Sequence, residues 1–531
     1  MKLHNIVFPR REDSGAAGSS GPIARWDVEL VDGVVRAIAP AASSDDSHAN
    51  VASRLLLPPL CHPHLHLDKT YILTGGGCCG GRRPDSDDVD AEHAEPEPSY
   101  DDLLPQTGDF AEALRTTATA KARFTAADLR RRGAQLLATS WRQGVTAARV
   151  FVEVDAGAAG GGRVAMEVAM ALQRDFAGRV AVQICAFAQE AVFSGEAGAA
   201  NRAAMEAVLA DPVLAPAVAA LGSAPYVEAS RALALQNLDW AVETALAHGL
   251  HLDLHLDYNL DDPASSGRMP LLYDLLDTLE RRRWCARAAS SVGASNPDRG
   301  SRMRTVAVGH VTQLTRLSAA QLSALAARIR QRGLPVHLVG LPTSDMYMMG
   351  RGATATPGTG VPRGTLNVPA LLRHGLPACL GVNNVGNAFT PYGTGDPLLL
   401  ACWGVGLYHA GTPADANRLY GAVSWGARAA IGEVEDERSE ERQGMKRSKN
   451  SQDIDQSEEK SWWDVEPSQL LGRHIGPVLM LTNEHHVQMS DDDDDKTNGR
   501  PTLPPIPARA RTGFRDVVWD PPDLSLRRIV G

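Results

Sequence analysis

The chain has no pair of cysteines spaced as Cys-x-x-Cys. Its seven cysteines, Cys61, Cys78, Cys79, Cys185, Cys285, Cys379 and Cys402, are odd in number and scattered, several inside apolar runs. That usage argues against a disulfide framework and predicts reduced thiols in a cytoplasmic protein. The Pro-Cys-x-x-Cys signature of zinc-dependent nucleotide deaminases is missing too. Long apolar runs are equally absent. Nothing reaches the roughly 18 residues of a membrane span, and Met1 to Asp13 meets charge at once, without the apolar core of a secretory signal. Basic residues are in deficit, with 53 Lys and Arg against 63 Asp and Glu and a formal net charge of -10. No basic stripe is available to neutralise phosphates, so the sequence predicts neither a nucleic-acid nor a membrane partner. A small molecule is the expected partner, and self-association into a homo-oligomer stays open.

What is present begins with size. At 531 residues and 44% hydrophobic, the chain can bury the core of one large α/β domain with a satellite, or of about three ordinary domains. The stretch RLLLPPLCHPHLHLDK, Arg54 to Lys69, organises the rest, because an apolar run ends there in histidines and an aspartate. His64 and His66 are one residue apart, so on a strand both side chains share a face, about 6 to 7 Å apart at the backbone. Two imidazoles so placed can close on one metal ion. Leu65 and Leu67 point the other way into packing, Asp68 falls back on the histidine side, and His62 stands apart across Pro63.

Residues 1–54 read as short β segments, Trp26 to Leu30 and Val34 to Ile38, that belong to a small β domain beside the main one. Gly75 to Pro105, rich in Gly, Asp, Glu and Pro, reads as a disordered insertion. From Thr125 a rhythm sets in: a capping-box-like start, a helical pattern to Gln143, Gly144 as the stop, then the strand VTAARVFVEV. The same punctuation recurs at Gly249, Gly333 and Gly375. Strands near Leu55, Thr146, Ala181, Ala219, Leu250, Thr305, Pro335 and Ala378 number eight, the count that closes a (β/α)8 TIM barrel, here over residues 55–432. An open doubly wound sheet is the alternative. The charged run 433–470 reads as a second disordered insertion. In 471–531, Ile475 to Leu481, Phe514 to Val518 and Leu524 to Val530 read as strands that complete the small β domain, as a β-sandwich, with the N-terminal segment.

In such a barrel the site lies at the C-terminal ends of the strands. His255 ends the apolar run from Leu250 as His66 ends the first strand, and His310 ends TVAVGH in the same way. Alone, either is as readily a hydrogen-bonded core histidine. Together, histidines from separate strand tips can surround one divalent ion and leave a place for water.

The motifs Pro63-His64-Leu65-His66-Leu67-Asp68-Lys69, Phe187-Ala188-Gln189-Glu190, His255-Leu256-Asp257, Gly309-His310 and Gly381 to Pro391 come in an order that resembles the cytosine deaminase branch of the amidohydrolase superfamily. That branch also includes aminohydrolases acting on triazine rings, and the similarity covers most of residues 50–432. The resemblance implies a (β/α)8 barrel with a small β domain from both termini, carrying one divalent metal ion, iron or zinc. By position it implies His64, His66 and His255 as metal ligands, His310 to orient the attacking water, and Gln189 to bind the amide edge of a ring substrate. The implied activity is hydrolysis of a carbon–nitrogen bond other than a peptide bond in a cyclic amide or amidine, with metal-activated water attacking a ring carbon.

Two positions depart from that pattern. Asn383 stands where the resemblance implies an aspartate, both metal ligand and general base, and Tyr258 stands where it implies an acid. An amide oxygen still coordinates weakly but takes no proton at neutral pH. Asp257, beside Tyr258, is the expected replacement catalytic acid, with Asp261, Asp262, Asp68 and Glu190 behind it. Lys69 and Lys121 read as structural. Asn384, with Asn387 and Tyr392 on the loop after the eighth strand, reads as a substrate contact, and Tyr258 faces the same ligand. A catalytically impaired barrel, kept as a ligand-binding or regulatory protein, is the competing expectation.

Overall fold

The computed structural model describes residues 1–9, 23–41, 53–74, 98–290, 304–350, 364–433, 461–487 and 506–531. Their strands are β1 (Lys2–Val7), β2 (Trp26–Val31), β3 (Val34–Pro40), β4 (Arg54–Leu57), β5 (Leu60–His66), β6 (Val145–Glu153), β7 (Ala181–Ala188), β8 (Val218–Ser223), β9 (His251–Leu256), β10 (Val306–His310), β11 (Val336–Gly340), β12 (Ala378–Leu380), β13 (Val478–Thr482) and β14 (Arg527–Val530). β5 to β12 form an eight-stranded sheet in sequence order, each strand parallel to the next. Its two edges meet at Asn383, just past β12. The Asn383 N–H donates to His64 O at 3.0 Å, and its carbonyl accepts from His66 N at 2.8 Å. The result is the (β/α)8 barrel, and the strand expected near Ala219 is β8.

Every residue of β5, β6, β9 and β10 is buried, because a barrel strand faces packed side chains within and helices without. The helix Ala126–Gln143 shows the recurring punctuation. The Thr125 side chain accepts from Asp128 N at its start, and Gly144 ends it at φ 100°, a left-handed conformation open to glycine and strained for other residues. Among the described residues no helix is long and apolar enough to cross a membrane.

The apolar run from Leu55 is two strands rather than one. β4 pairs with β1 and β13 in a separate sheet, and the chain enters the barrel only at Leu60. Pro58 and Pro59, which lack the N–H needed to extend a ladder, make the break. The second sheet has the order β14-β13-β4-β1-β2-β3, so strands from both ends of the sequence share it.

Three further readings are corrected. Phe514 to Val518 is not a strand but part of the helix Phe514–Trp519. Its buried Phe514, Val517 and Val518 keep helical spacing, and Asp516 reaches back to accept from Thr512 N at 2.9 Å. Of Leu524 to Val530, the first three residues form a 3-10 turn and only Arg527–Val530 is extended. Of the two expected insertions, 75–97 and 434–460 lie outside the described residues. Their flanks are folded: Tyr100 is buried and bonds Asp128 Oδ2 at 2.8 Å, and Trp462 and Trp463 are buried against Phe8 and Trp425.

Candidate metal centre

β5 delivers His64 and His66, β9 delivers His255 and β10 delivers His310, all at the C-terminal mouth of the barrel. His64, His66 and His255 are buried, and one nitrogen from each lies within 4.8 Å of the others. The Nε2 atoms of His64 and His255 face each other at 2.7 Å. Burial pushes all three imidazoles well below their ordinary pKa, and the nearby Lys69 pushes the same way. These are therefore neutral rings, each with one nitrogen turned toward a common point. His62 is not among them. The pairing register slips between His62 and Leu65, and His62 Nε2 bonds Ser140 Oγ at 3.1 Å on the helix behind the strand.

Close packing sets these rings. Phe151 lies 4.1 Å from His64 and 5.2 Å from His255, centroid to centroid, and Phe187 lies 4.4 Å from His255. Gly309 lets the rings approach the sheet, since a Cβ there would sit 2.8 Å from His64 Cε1. Beneath them Asp253, on the same face of β9 as His255, comes 3.7 Å from His64 Nδ1 and pairs with the buried Arg149 at 3.1 Å. Burial raises the Asp253 carboxyl to about 6, against the pull of Arg149.

Asn383 belongs to the centre. Its Nδ2 donates to Ser344 Oγ at 2.9 Å, which fixes the amide with Oδ1 turned to the His64 ring. His310 sits 5.1 Å from His255 and stacks on Tyr258 at 3.8 Å. Its Nδ1 meets Asp345 Oδ1 at 2.8 Å. Gln189, at the end of β7, is hydrogen-bonded to Tyr226, and Tyr226 lies 6.0 Å from Tyr258. Phe110, from the helix Phe110–Lys121, is 5.8 Å from both Tyr258 and Phe389. Aromatic rings and one amide thus rim the mouth.

Two sequence-predicted site residues lie elsewhere. Asp257, expected as a catalytic acid, turns its carboxylate away to accept from Leu271 N at 2.7 Å and Leu272 N at 3.0 Å, at the start of the helix Leu271–Arg281. Its backbone φ of 48°, one residue past β9, takes it off the strand alternation. Asn384, expected to touch substrate, lines a separate hollow with Thr343, Val382, Tyr392 and Trp403, and its Oδ1 accepts from Asn387. Asn383 itself stands at φ 66°, past the end of β12, so strand alternation does not carry through to Asn384. Of the reserve acids, Asp68 accepts from Glu153 N at 2.7 Å, Asp262 caps a short helix, and Glu190 is half exposed 3.8 Å from Lys121.

The sequence reading missed Asp253, Glu153 and Asp345. Glu153 ends β6 and binds Lys69 at 2.6 Å and Lys121 at 2.8 Å; burial would raise its carboxyl, but the two ammoniums hold it at about 2. The alternation HLDLHLD marked Asp253, and the strand end VFVEV marked Glu153. Asp345 carried no such mark, because it lies on a short helix, Pro342–Met348, after β11.

No family model matches the chain. A pterin deaminase from Rhizobium rhizogenes is 23% identical over 420 residues, 78% of this chain and 80% of that protein. The 5-methylcytosine deaminase from Klebsiella pneumoniae, solved with 5-fluorocytosine, superposes with a TM-score of 0.59 at 22% identity, covering 81% of this chain and 86% of that one. The fold is that of the 5-methylcytosine deaminase. The N-isopropylammelide isopropylaminohydrolase from Burkholderia multivorans superposes with a TM-score of 0.53 at 20% identity, covering 81% of this chain and 86% of that one. Against the motif pattern that the sequence resembles, the barrel carries His64, His66, His255, His310 and Gln189, with Asn383 and Tyr258 where that resemblance implies acids.

Proposed function

We propose that the protein is a metal-dependent hydrolase of carbon–nitrogen bonds other than peptide bonds, acting on a cyclic amide or amidine. The observation that carries this reading is the convergence of three buried, neutral imidazoles on one point at the barrel mouth. The donor set fits a divalent ion such as iron or zinc. Imidazole nitrogens suit both metals, and the buried Asn383 Oδ1, beside the His64 ring, adds an oxygen. His64, His66, His255 and Asn383 would hold the ion, which when bound supplies a polarised water of lowered pKa.

The rest of the chemistry falls to the chain. Gln189, steadied by Tyr226, presents both a donor and an acceptor, the complement of a ring amide edge. Phe110, Tyr226, Tyr258 and Phe389 offer flat, uncharged faces for stacking and exclude bulk water. Burial holds the Tyr258 phenol well above its ordinary pKa, so it stays neutral and serves the wall rather than replacing the missing acid. The substrate class this wall suits is a neutral, planar nitrogen heterocycle. The similar proteins, a pterin deaminase, a 5-methylcytosine deaminase and an N-isopropylammelide isopropylaminohydrolase, are named for ring substrates of this kind and favour an enzyme over an impaired barrel.

The test is elemental analysis of protein grown with iron and with zinc, joined to a screen of pyrimidines, pterins, triazines and cyclic ureas for ammonia or amine release. About one ion per chain is expected, with His66→Ala losing most of it and all turnover. A chain that purifies metal-free from both media and releases nothing refutes the reading.

A further inference from the structure

The helix Pro342–Met348 places two successive side chains on the site: Ser344 orients the Asn383 amide, and the next residue, Asp345, meets His310. Asp345 is fully buried, and both partners of its Oδ2 are donors. Oδ2 takes Leu341 N at 3.3 Å and Thr365 Oγ1 at 3.0 Å, leaving Oδ1 for His310 Nδ1 at 2.8 Å. His310 itself is held in a left-handed backbone conformation, φ 66°, with Val311 at φ 42° beside it. Two adjacent non-glycine residues there are strained, and such strain persists where the surroundings over-determine a side chain's direction. The Tyr258 ring, 3.8 Å away, closes one face of the imidazole.

We propose that Asp345 is the positioning residue of this site: it accepts the Nδ1–H of His310 and so fixes the tautomer whose Nε2 carries the lone pair at the three-histidine centre. This rests on the hydrolase reading and deepens it, because it answers what replaces the base that Asn383 cannot be. His310 Nε2 then takes a proton from the attacking water as the water oxygen bonds the ring carbon. The same proton passes to the departing nitrogen as the carbon–nitrogen bond breaks, and the second water proton ends on the ring nitrogen beside the new carbonyl. Asp345 touches none of the reacting atoms and acts only through His310.

The donor pattern makes Asp345→Asn a defined test. Leu341 N–H must donate to one carboxyl position, so an amide oxygen belongs there and the amide NH2 must face His310. That NH2 donates to Nδ1, and the imidazole must move its proton to Nε2. The substitution keeps size and shape and inverts the tautomer. Two measurements follow on the metal-loaded protein. Long-range proton–nitrogen correlation spectra of 15N-histidine-labelled protein should show His310 protonated at Nδ1 in the parent and at Nε2 in Asp345→Asn. With a substrate from the screen, kcat should fall by about 10²- to 10⁴-fold with KM changed less than about threefold, the size of a lost proton-transfer group, and bound metal should be unaltered. Thr365→Val, which removes one donor and leaves the tautomer, should cost less than about tenfold.

The outcomes separate. A parent His310 protonated at Nε2 overturns the proposal whether or not the protein turns over substrate. An inverted tautomer with kcat unchanged also overturns it, since another group then carries the proton. A metal-free, inactive chain sinks the hydrolase reading, while the spectra still decide the tautomer.

Discussion

At the residue scale, the site turns on what an amide does where a carboxylate was expected. Asn383 has its backbone built into the closure of the barrel, between His64 O and His66 N, so its side chain has no freedom to leave. Its Nδ2 gives a hydrogen to Ser344 Oγ, and Ser344 Oγ also shares a hydrogen with Thr390 Oγ1 at 2.7 Å. In Asn383→Asp the serine hydroxyl need only turn round to donate instead, so the carboxylate enters without a clash and brings a negative charge to the three neutral imidazoles. Retention of a divalent ion should strengthen by at least about tenfold, worth roughly 1.4 kcal/mol. A competition titration against a chelator reads this directly, and unchanged or weaker retention would mean that Oδ1 does not face the ion. His310 and Asp345 are untouched by the change, so the substitution tests the ligand role of position 383 apart from its role as a base.

At the element scale, function is written in how closely strands let side chains approach. Gly309 on β10 has the His64 ring against it, with Cε1 at 2.8 Å and Nδ1 at 3.1 Å from where a Cβ would stand, and His255 Cδ2 at 3.3 Å. Phe151 stands 4.1 Å from the His64 ring, so that ring has little room to retreat. Gly309→Ala should therefore lower metal affinity by about 10- to 100-fold, the usual cost of disturbing a ligand's orientation, while circular dichroism stays that of the parent. Full metal retention would show that His64 is not held in place by this contact. The histidines themselves were legible because strand period and strand end sufficed to place them: His64, His66, His255 and His310 all ended apolar runs. Asp257 was misplaced because alternation fails one residue past a strand, where φ turns positive and a helix start claims the carboxylate. Asp345 was invisible for a related reason, since its partner lies 35 residues earlier in the chain and no periodicity links a helix turn to a neighbouring strand tip. The strand misread at Phe514 failed on period instead, as six residues hold too few turns to separate helix from strand without the Asp516 cap.

At the scale of the whole molecule, one buried arginine ties the second sheet to the barrel. Arg527, the first residue of β14, pairs with Asp396 Oδ2 at 2.8 Å, donates to Gln143 O at 3.3 Å and to Pro522 O at 2.9 Å. Asp396 caps the helix Pro397–Leu407, and Gln143 ends the helix Ala126–Gln143 that backs β5, so three separate elements share the guanidinium. Both partners are almost fully buried, and for such a pair the attraction is largely offset by desolvation; what is costly is leaving one charge without its partner. Arg527→Ala should thus destabilise the protein by about 3 to 5 kcal/mol, whereas Arg527→Met with Asp396→Asn, which removes both charges and keeps most of the volume, should recover more than half of that. Urea unfolding followed by tryptophan fluorescence is suited to the measurement, because Trp425, Trp462 and Trp463 lie around the packed end of the second sheet and the helix Phe514–Trp519. If sheet and barrel are one cooperative unit, the single variant moves the whole transition and metal release together. A separate early transition that leaves the metal bound would show instead that the sheet unfolds on its own, and that the histidine centre depends on the barrel alone.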